Sequence, residues 1–241
     1  MKKVLKLMLA LVMTCAIAGC SSSSKNDADV TITIGTSPDY APYESLNKKV
    51  KSLVLTWIWP NYLKVIYLIW KGKTYSLEFK QMDFDNIVTQ IQGDQIDLGI
   101  SGFTYSEDRV VEWSDPYLGT QQVAVVPNGS SITSNDQLVG KKLAAQTGAT
   151  GEQAAKEVEN ADVVSMKNVQ DIFNGLASNQ YDAAIVDLGV AQQYVSSGNF
   201  TQLNGSLMDE KNYVIAKKGN TKMIKLMNKC IKKIRSFKRL R

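Results

Sequence analysis

Arg109 ends the loop SGFTYSEDR, which follows a short buried strand predicted at IDLGISG. The small residues of this loop leave backbone N–H groups free, and Thr104 adds a hydroxyl. A guanidinium can hold a carboxylate through two parallel hydrogen bonds, so the loop is suited to binding an anion. The spacing fits equally well an arginine that caps a helix or pairs with Glu112 on the surface.

Two more loops at predicted strand ends carry charge-binding groups. The loop AAQTGATGE precedes a helix with Thr150 as its candidate N-cap, and free N–H groups there can bind an anion. It lacks the GK[ST] ending of a P-loop, and a plain strand–helix turn is the alternative. Asp187 ends the apolar strand AAIVD, where its carboxylate can bind an ammonium group or merely cap the next helix.

Aromatic side chains accompany these polar loops. Tyr40 and Tyr43 in SPDYAPYE can form an aromatic wall or can simply pack locally, and Phe84 begins a predicted helix. A desolvated zwitterion needs both of its charges matched, and the predicted loops supply both. The carboxylate would be bound by Arg109, Thr104 and the N–H groups near Thr150. The ammonium group would be bound by Asp187, and the ligand's side chain would lie between Phe84 and Tyr40.

The composition excludes several kinds of site. The chain contains no histidine, which removes the commonest general base and the imidazole metal ligands. We expect no metal and no cofactor. The basic run from Lys225 to Arg241 lacks an interleaved aromatic platform, so we interpret it as a solvated helix end or a disturbed terminus and expect no nucleic-acid partner.

Strands alternate with helices along the chain, which is typical of α/β domains with largely parallel sheets. Examples are the strand at Tyr75–Met82, the helix after it, which ends at Gly93, and a late strand at KNYVIAKKGN that begins at Lys211. The alternating series occurs twice, with a split near residues 123–128. The pattern predicts two lobes, and clefts between lobes are favoured binding sites.

The N-terminus has the layout of an export signal. A lysine-rich start and an apolar stretch end at AIAGC, in which Ile17–Cys20 resembles a lipobox. We expect a signal peptide at 1–19, a lipidated Cys20, and a tether at 20–29 that holds the chain on the extracytoplasmic face of the cell membrane. The mature chain would then retain one unpaired thiol, Cys230.

The chain resembles the family 3 extracellular solute-binding proteins, the amino-acid receptors of ABC importers, over roughly residues 31–229. The resemblance rests on DLGISGFTYSEDRVVEWSDPY, in which Trp113 replaces the usual Phe, and on AAIVD and QTGATGE, with Ala149 where Thr is common. It implies a periplasmic-binding-protein-like type II fold, with two α/β lobes joined by a two-strand hinge around a ligand cleft. The implied ligand contacts are Gly102, Thr104, Arg109, Thr150 and Asp187 for the backbone, Tyr40 and Phe84 for stacking, and Ser37 for side-chain reading.

The resemblance also implies an organisation and a set of partners. Lobe 1 would span residues 30–125, with an atypical segment at 49–71. Lobe 2 would span 126–213, and 214–241 would return to lobe 1. The partners would be a free polar amino acid, an ABC transporter permease and, through the lipid, a membrane. We expect a monomer that catalyses no reaction. Two alternatives are a cyclohexadienyl dehydratase-like enzyme, with Glu152 as its acid, and a sensor-type amino-acid-binding domain.

The stretch LVLTWIWPNYLKVIYLIW (Leu53–Trp70) interrupts the resemblance. Val54–Pro60 can be encoded by GTT TTG ACA TGG ATT TGG CCN. If the codon for Leu53 ends in G, the reading frame that starts one nucleotide earlier encodes Gly-Phe-Asp-Met-Asp-Leu-Ala. That matches the family's usual GFDxDLA motif. We therefore hypothesise a frameshifted segment from about Lys49 to Lys71. Sequencing the gene should find codons that give this motif in the shifted frame, and codons that cannot give it would refute the hypothesis.

Overall fold

The computed structural model describes residues 30–39, 45–46, 53–54 and 75–238. The predicted signal peptide, the tether with Cys20, and Tyr40 lie outside the described residues. Of the atypical segment at 49–71, only Leu53–Val54 is described. These two residues form strand β3, which pairs antiparallel with strand β2, Ser45–Leu46.

Lobe 1 is a sheet covered by helices. Its elements are β1 (Val30–Thr36), β4 (Tyr75–Gln81), α1 (Phe84–Gln92), β5 (Leu98–Thr104), β6 (Val111–Trp113) and, from the chain end, α5 (Thr221–Lys238). Strand β1 lies between β4 and β5 and runs parallel to both. Alternation along β1 buries Ile32 and Ile34, and α1 buries Phe84, Ile87 and Ile91 at helical spacing. Gly93 is the C-cap of α1, as predicted.

Lobe 2 repeats the alternation of strands and helices. A 3₁₀ turn (Asn135–Leu138) leads into β8 (Lys142–Gln146), α2 (Thr150–Lys156), β9 (Asp162–Met166), α3 (Val169–Ala177), β10 (Ala183–Asp187), α4 (Leu188–Val195) and β11 (Phe200–Gln202). Strand β8 lies between β10 and β9 and runs parallel to both. The short strands β6 and β11 were not predicted, because three residues carry too little alternation to be recognised.

Two long strands join the lobes: β7 (Leu118–Pro127) and β12 (Met208–Lys217). Residues Met208–Asn212 of β12 pair antiparallel with the start of β7, and its later residues pair with β5 in lobe 1. The later part of β7 pairs with β10 in lobe 2. The resulting curled sheet has the order β4-β1-β5-β12-β7-β10-β8-β9, and the predicted type II fold is confirmed. The predicted boundary at 125/126 lies within β7 and remains a prediction.

Each lobe has its own apolar core. Buried residues of β1, β5, the end of β12 and α5 pack together in lobe 1, next to a cluster around α1. Separate clusters surround β10 in lobe 2. Because the lobes are joined mainly by two strands, they can change their relative position without unpacking a core. None of the helices in the described ranges is long and apolar enough to cross a membrane.

Candidate ligand-binding cleft

The candidate site is a small cavity where the two lobes meet. It lies at the carboxyl end of β5, beside the start of α2, and the hinge strand β7 contributes to its wall. Its volume of about 10 Å³ is room for roughly one water molecule. The lobes therefore lie close together in this structure, and a larger ligand requires them to separate first. The lining residues are Phe84, Ser101, Gly102, Thr104, Arg109, Gln122, Gln146, Ala149 and Thr150.

Arg109 bridges the two lobes across this cavity. Its guanidinium donates to the Thr104 carbonyl of lobe 1 at 2.7 Å and to the Gly148 carbonyl of lobe 2 at 2.6 Å. Burial lowers the pKa of Arg109 and attraction to the Glu210 carboxylate raises it, but an arginine stays charged throughout. Among the described residues no carboxylate forms an ion pair with it. The sequence alternative of a surface pair with Glu112 is wrong, since Glu112 pairs with Lys218.

An aromatic platform supports the guanidinium. The Phe84 and Phe103 rings stack with their centroids 4.7 Å apart, and the Arg109 guanidinium carbon lies 5.7 and 5.5 Å from the two centroids. Cation–π contacts of this kind hold a desolvated guanidinium in place. Phe84 therefore lines the predicted site, where it contacts Arg109.

Thr104 and Gly102 present polar backbone and side-chain groups on the lobe 1 wall. The Thr104 hydroxyl is buried and has no hydrogen-bond partner within the described part of the chain. Gly102 has φ +61°, which only glycine adopts readily, and its carbonyl accepts a hydrogen bond from Asn212 of β12 at 2.9 Å. The predicted loop is thus in place, with one hydroxyl free to donate.

Thr150 is the first residue of α2, so the prediction that it is the N-cap was wrong. Ala149 holds the extended N-cap backbone, and the Thr150 hydroxyl turns instead toward Glu210, to which it donates at 2.7 Å. Gln122 donates its amide to the other Glu210 oxygen at 2.7 Å. A buried carboxylate thus holds two of the cavity-lining side chains.

Asp187 is almost fully buried, with 1% of its surface exposed. One carboxylate oxygen accepts from the Gly189 N–H at 2.9 Å and caps α4, and the other accepts from the Thr120 hydroxyl at 2.8 Å. Asp187 therefore caps the helix, which is one of the two roles that the sequence allowed for it. Asp187 is not among the residues that line the cavity, and its predicted contact with an ammonium group remains a prediction.

Asp39 forms a contact between the lobes, and Ser37 bonds it within lobe 1. The Ser37 hydroxyl bonds the Asp39 carboxylate, so Ser37 lies beside the cleft without lining the cavity. Asp39 accepts from the Val169 N–H at 2.8 Å, at the first turn of α3 in lobe 2, and from the Gln146 amide at 3.4 Å. A carboxylate at a helix N-terminus is favourable because of the free N–H groups and the helix dipole.

A second set of charges connects the lobes at the mouth of the cleft. The Lys167 ammonium of lobe 2 lies 3.8 Å from the Asp83 carboxylate and 3.7 Å from that of Asp85 in lobe 1. Exposed pairs of this kind contribute little each. Together with the Asp39 and Arg109 contacts, they hold the lobes in the closed arrangement.

Glu152 is not among the residues that line the cavity. Burial raises its pKa, but hydrogen bonds from Lys156, Ser165 and the Gly148 N–H outweigh that effect, and the net pKa is lowered. A general acid at neutral pH needs a raised pKa, so the geometry gives no support to the dehydratase alternative. Among the described residues no group of three Cys, Asp or Glu side chains is arranged to hold a metal ion.

The sequence did not predict Gln122, Gln146, Glu210 or Asp39 as site residues. Gln122 lies in a strand that the sequence predicts, but no loop motif marks it there, and the predicted late strand begins at Lys211, which leaves Glu210 outside it. A signal was present, because Gln122 directly precedes the apolar run VAVV of this strand and is buried like that run. A buried polar residue in such a position needs a hydrogen-bond partner, and the partner is Glu210.

Comparison with known proteins identifies the family. Residues 32–240 match the model of the bacterial extracellular solute-binding proteins, family 3. The arginine-binding extracellular protein ArtP of Bacillus subtilis (strain 168) is 28% identical over 244 residues, covering 97% of this chain and 93% of that protein.

Two solved structures are similar over most of the chain. The substrate-binding protein of an amino acid ABC transporter superimposes with a TM-score of 0.77 and 29% identity, covering 86% of this chain and 93% of that one. Truncated ArgBP from T. maritima, in its arginine-bound form, gives a TM-score of 0.75 and 27% identity, covering 85% of this chain and 96% of that one. The chain therefore belongs to the family 3 bacterial extracellular solute-binding proteins, whose matched relatives are amino-acid-binding proteins of ABC transporters.

Proposed function

We propose that this chain is an extracytoplasmic receptor, and not an enzyme, that binds a free polar amino acid and delivers it to an ABC importer permease. The observation that carries the proposal is that Arg109, a half-buried cation in the cleft, donates hydrogen bonds to carbonyl oxygens of both lobes. The relatives that bind arginine and serve amino acid ABC transporters support it.

The chemistry of Arg109 favours a carboxylate ligand. Carbonyl dipoles satisfy two of its N–H groups but do not neutralise its charge, and the guanidinium still has donors in a planar fork. An α-carboxylate would supply the missing charge and would take the place of the Gly148 carbonyl when the lobes close around it. The free Thr104 hydroxyl would donate a further hydrogen bond.

We propose that basic amino acids, arginine first, fit this cleft best. Carboxylates outnumber cations around the cleft, so a ligand with an extra positive charge reduces the net negative charge there. ArtP and the T. maritima protein are named for arginine. The charged groups that we count are the carboxylates Asp39, Asp85, Asp187 and Glu210 and the cations Arg109 and Lys167.

Closure of the lobes would couple binding to delivery. The contacts made by Asp39, Lys167 and Arg109 form only when the lobes approach each other, and a ligand between the lobes would favour that state. The permease would recognise the closed state. Lipid on Cys20 would keep the receptor at the membrane beside its permease, and we propose that the receptor acts as a monomer.

A thermal-shift panel of the twenty amino acids, applied to the full-length chain in detergent, tests the proposal. An amino acid present at 100 times its dissociation constant should stabilise the native state by about 2.7 kcal/mol. We expect a shift with arginine or a few other polar amino acids. A cooperative melt that none of the twenty shifts would contradict the receptor assignment.

Replacing Arg109 should remove most of the binding. Arg109→Lys keeps the charge but loses the planar fork, and we expect roughly tenfold weaker binding by isothermal titration calorimetry. Arg109→Ala should weaken binding by about 100-fold or more. The matched control is Arg235→Lys, because Arg235 bonds the Pro116 carbonyl on the outer surface. Unchanged affinity in both Arg109 variants would refute the role of this residue.

Removing the charge of Asp39 should speed ligand release. Asp39→Asn weakens the contact with the first turn of α3, and we expect dissociation of the bound amino acid to become roughly threefold to tenfold faster in stopped-flow measurements. Asp94→Asn is the control, since Asp94 pairs with Lys217 away from the cleft. Equal dissociation rates in the two variants would show that the Asp39 contact does not hold the lobes closed.

A further inference from the structure

Glu210 connects two residues of the cavity wall from behind. It lies on the hinge strand β12 and is 9% exposed. One of its oxygens accepts from the Gln122 amide at 2.7 Å, and the other accepts from the Thr150 hydroxyl at 2.7 Å. Gln122 and Thr150 both line the cavity, whereas Glu210 does not.

These bonds decide which atoms remain for a ligand. An ionised carboxylate can only accept, so the Thr150 proton and the Gln122 N–H groups turn toward Glu210. The reverse amide orientation would place two oxygens against each other at 2.7 Å, and it is therefore excluded. The Gln122 Oε1 atom is buried and has no hydrogen-bond partner among the described residues, whereas the Thr150 oxygen already accepts from the Gln122 amide at 3.4 Å.

The local backbone makes room for this amide oxygen. A Cβ atom on residue 151 would lie 2.8 Å from Gln122 Oε1 and 2.7 Å from the Ile185 carbonyl oxygen, distances that real Cβ atoms do not show. Only glycine at position 151 allows Gln122 to keep its place. Gln122 itself is 2% exposed, so its free acceptor is in a desolvated setting where an unmade hydrogen bond is costly.

The cavity therefore has a donor wall and an acceptor wall. Arg109 and the Thr104 hydroxyl offer N–H and O–H groups, while Gln122 offers an oxygen that accepts no hydrogen bond from the described residues. Glu210 also attracts Arg109 electrostatically. A ligand with a carboxylate at one end and an ammonium group beside it matches this polarity. Meanwhile the two Asp187 oxygens already accept from Gly189 and Thr120.

We propose that Gln122 Oε1 accepts a hydrogen bond from the ligand's α-ammonium group, and that Glu210 orients Gln122 and supplies the opposing charge. Gln122 is then a ligand-binding residue and Glu210 a positioning residue. This inference rests on the proposed function. It adds an ammonium subsite on the hinge strands, separate from the contact predicted for Asp187.

The test compares an amino acid with its analogue that lacks the α-amino group. The probes are L-arginine and 5-guanidinopentanoate, or the corresponding pair when the panel selects another amino acid. The variants, made in the full-length chain, are Gln122→Met and the near-isosteric Glu210→Gln. Gln121→Met is the matched control, because Gln121 is the next residue on β7 and bonds the exposed Asp209.

We expect the wild-type chain to prefer arginine over the analogue by about 100-fold or more by calorimetry. Both variants should bind arginine about 10- to 100-fold more weakly and keep their affinity for the analogue within roughly threefold. The preference then collapses, which a merely structural role would not cause. Gln121→Met should keep it.

Three results would overturn this inference and leave the proposed function standing. The variants could bind arginine as well as the wild type, or lose both ligands equally, or keep the preference while Asp187→Asn abolishes it. A wild-type chain that binds none of the twenty amino acids would instead overturn the proposed function itself. If Gln122→Met fails to melt cooperatively, Glu210→Gln, which keeps size and shape, decides the matter.

Discussion

The charge of Arg109 is the constraint on which the cleft depends. The guanidinium lies over two stacked phenylalanine rings and bonds a carbonyl from each lobe. No carboxylate in the described part of the chain forms an ion pair with this partly desolvated cation, and such a charge favours any anion that can reach it. The closed arrangement of the lobes, the free Thr104 hydroxyl and the polar hinge strands all surround this one group.

The hinge strands carry polar side chains where a strand usually buries apolar ones. Gln122 and Glu210 are both buried, and the two Glu210 oxygens accept from the Gln122 amide and the Thr150 hydroxyl, which leaves Gln122 Oε1 without a partner among the described residues. Partly satisfied buried networks are costly, so a free acceptor in this one is a feature that needs an explanation. Binding of an ammonium group explains it. The same strands that allow the lobes to move would then also sense the ligand.

The sequence predicted the alternating strands and helices, the two lobes and the Arg109 loop, because periodicity and loop motifs are local properties. It could not predict that Thr150 bonds Glu210, since the two residues are 60 positions apart and the strand was expected to begin at Lys211. It left the role of Asp187 open for a physical reason, because a carboxylate at a strand end can cap a helix or bind a cation. The contact of Asp39 with α3 depends on how the lobes meet, which no local pattern shows.

The most direct test of the central claim is to remove the ligand's carboxylate charge. The amino acid that stabilises the chain most should be titrated calorimetrically beside its α-carboxamide, which keeps the ammonium group and the side chain. If Arg109 binds the carboxylate, the amide should bind about 100-fold more weakly or worse, because the guanidinium loses its counter-charge. Equal affinities for the acid and the amide would contradict the account.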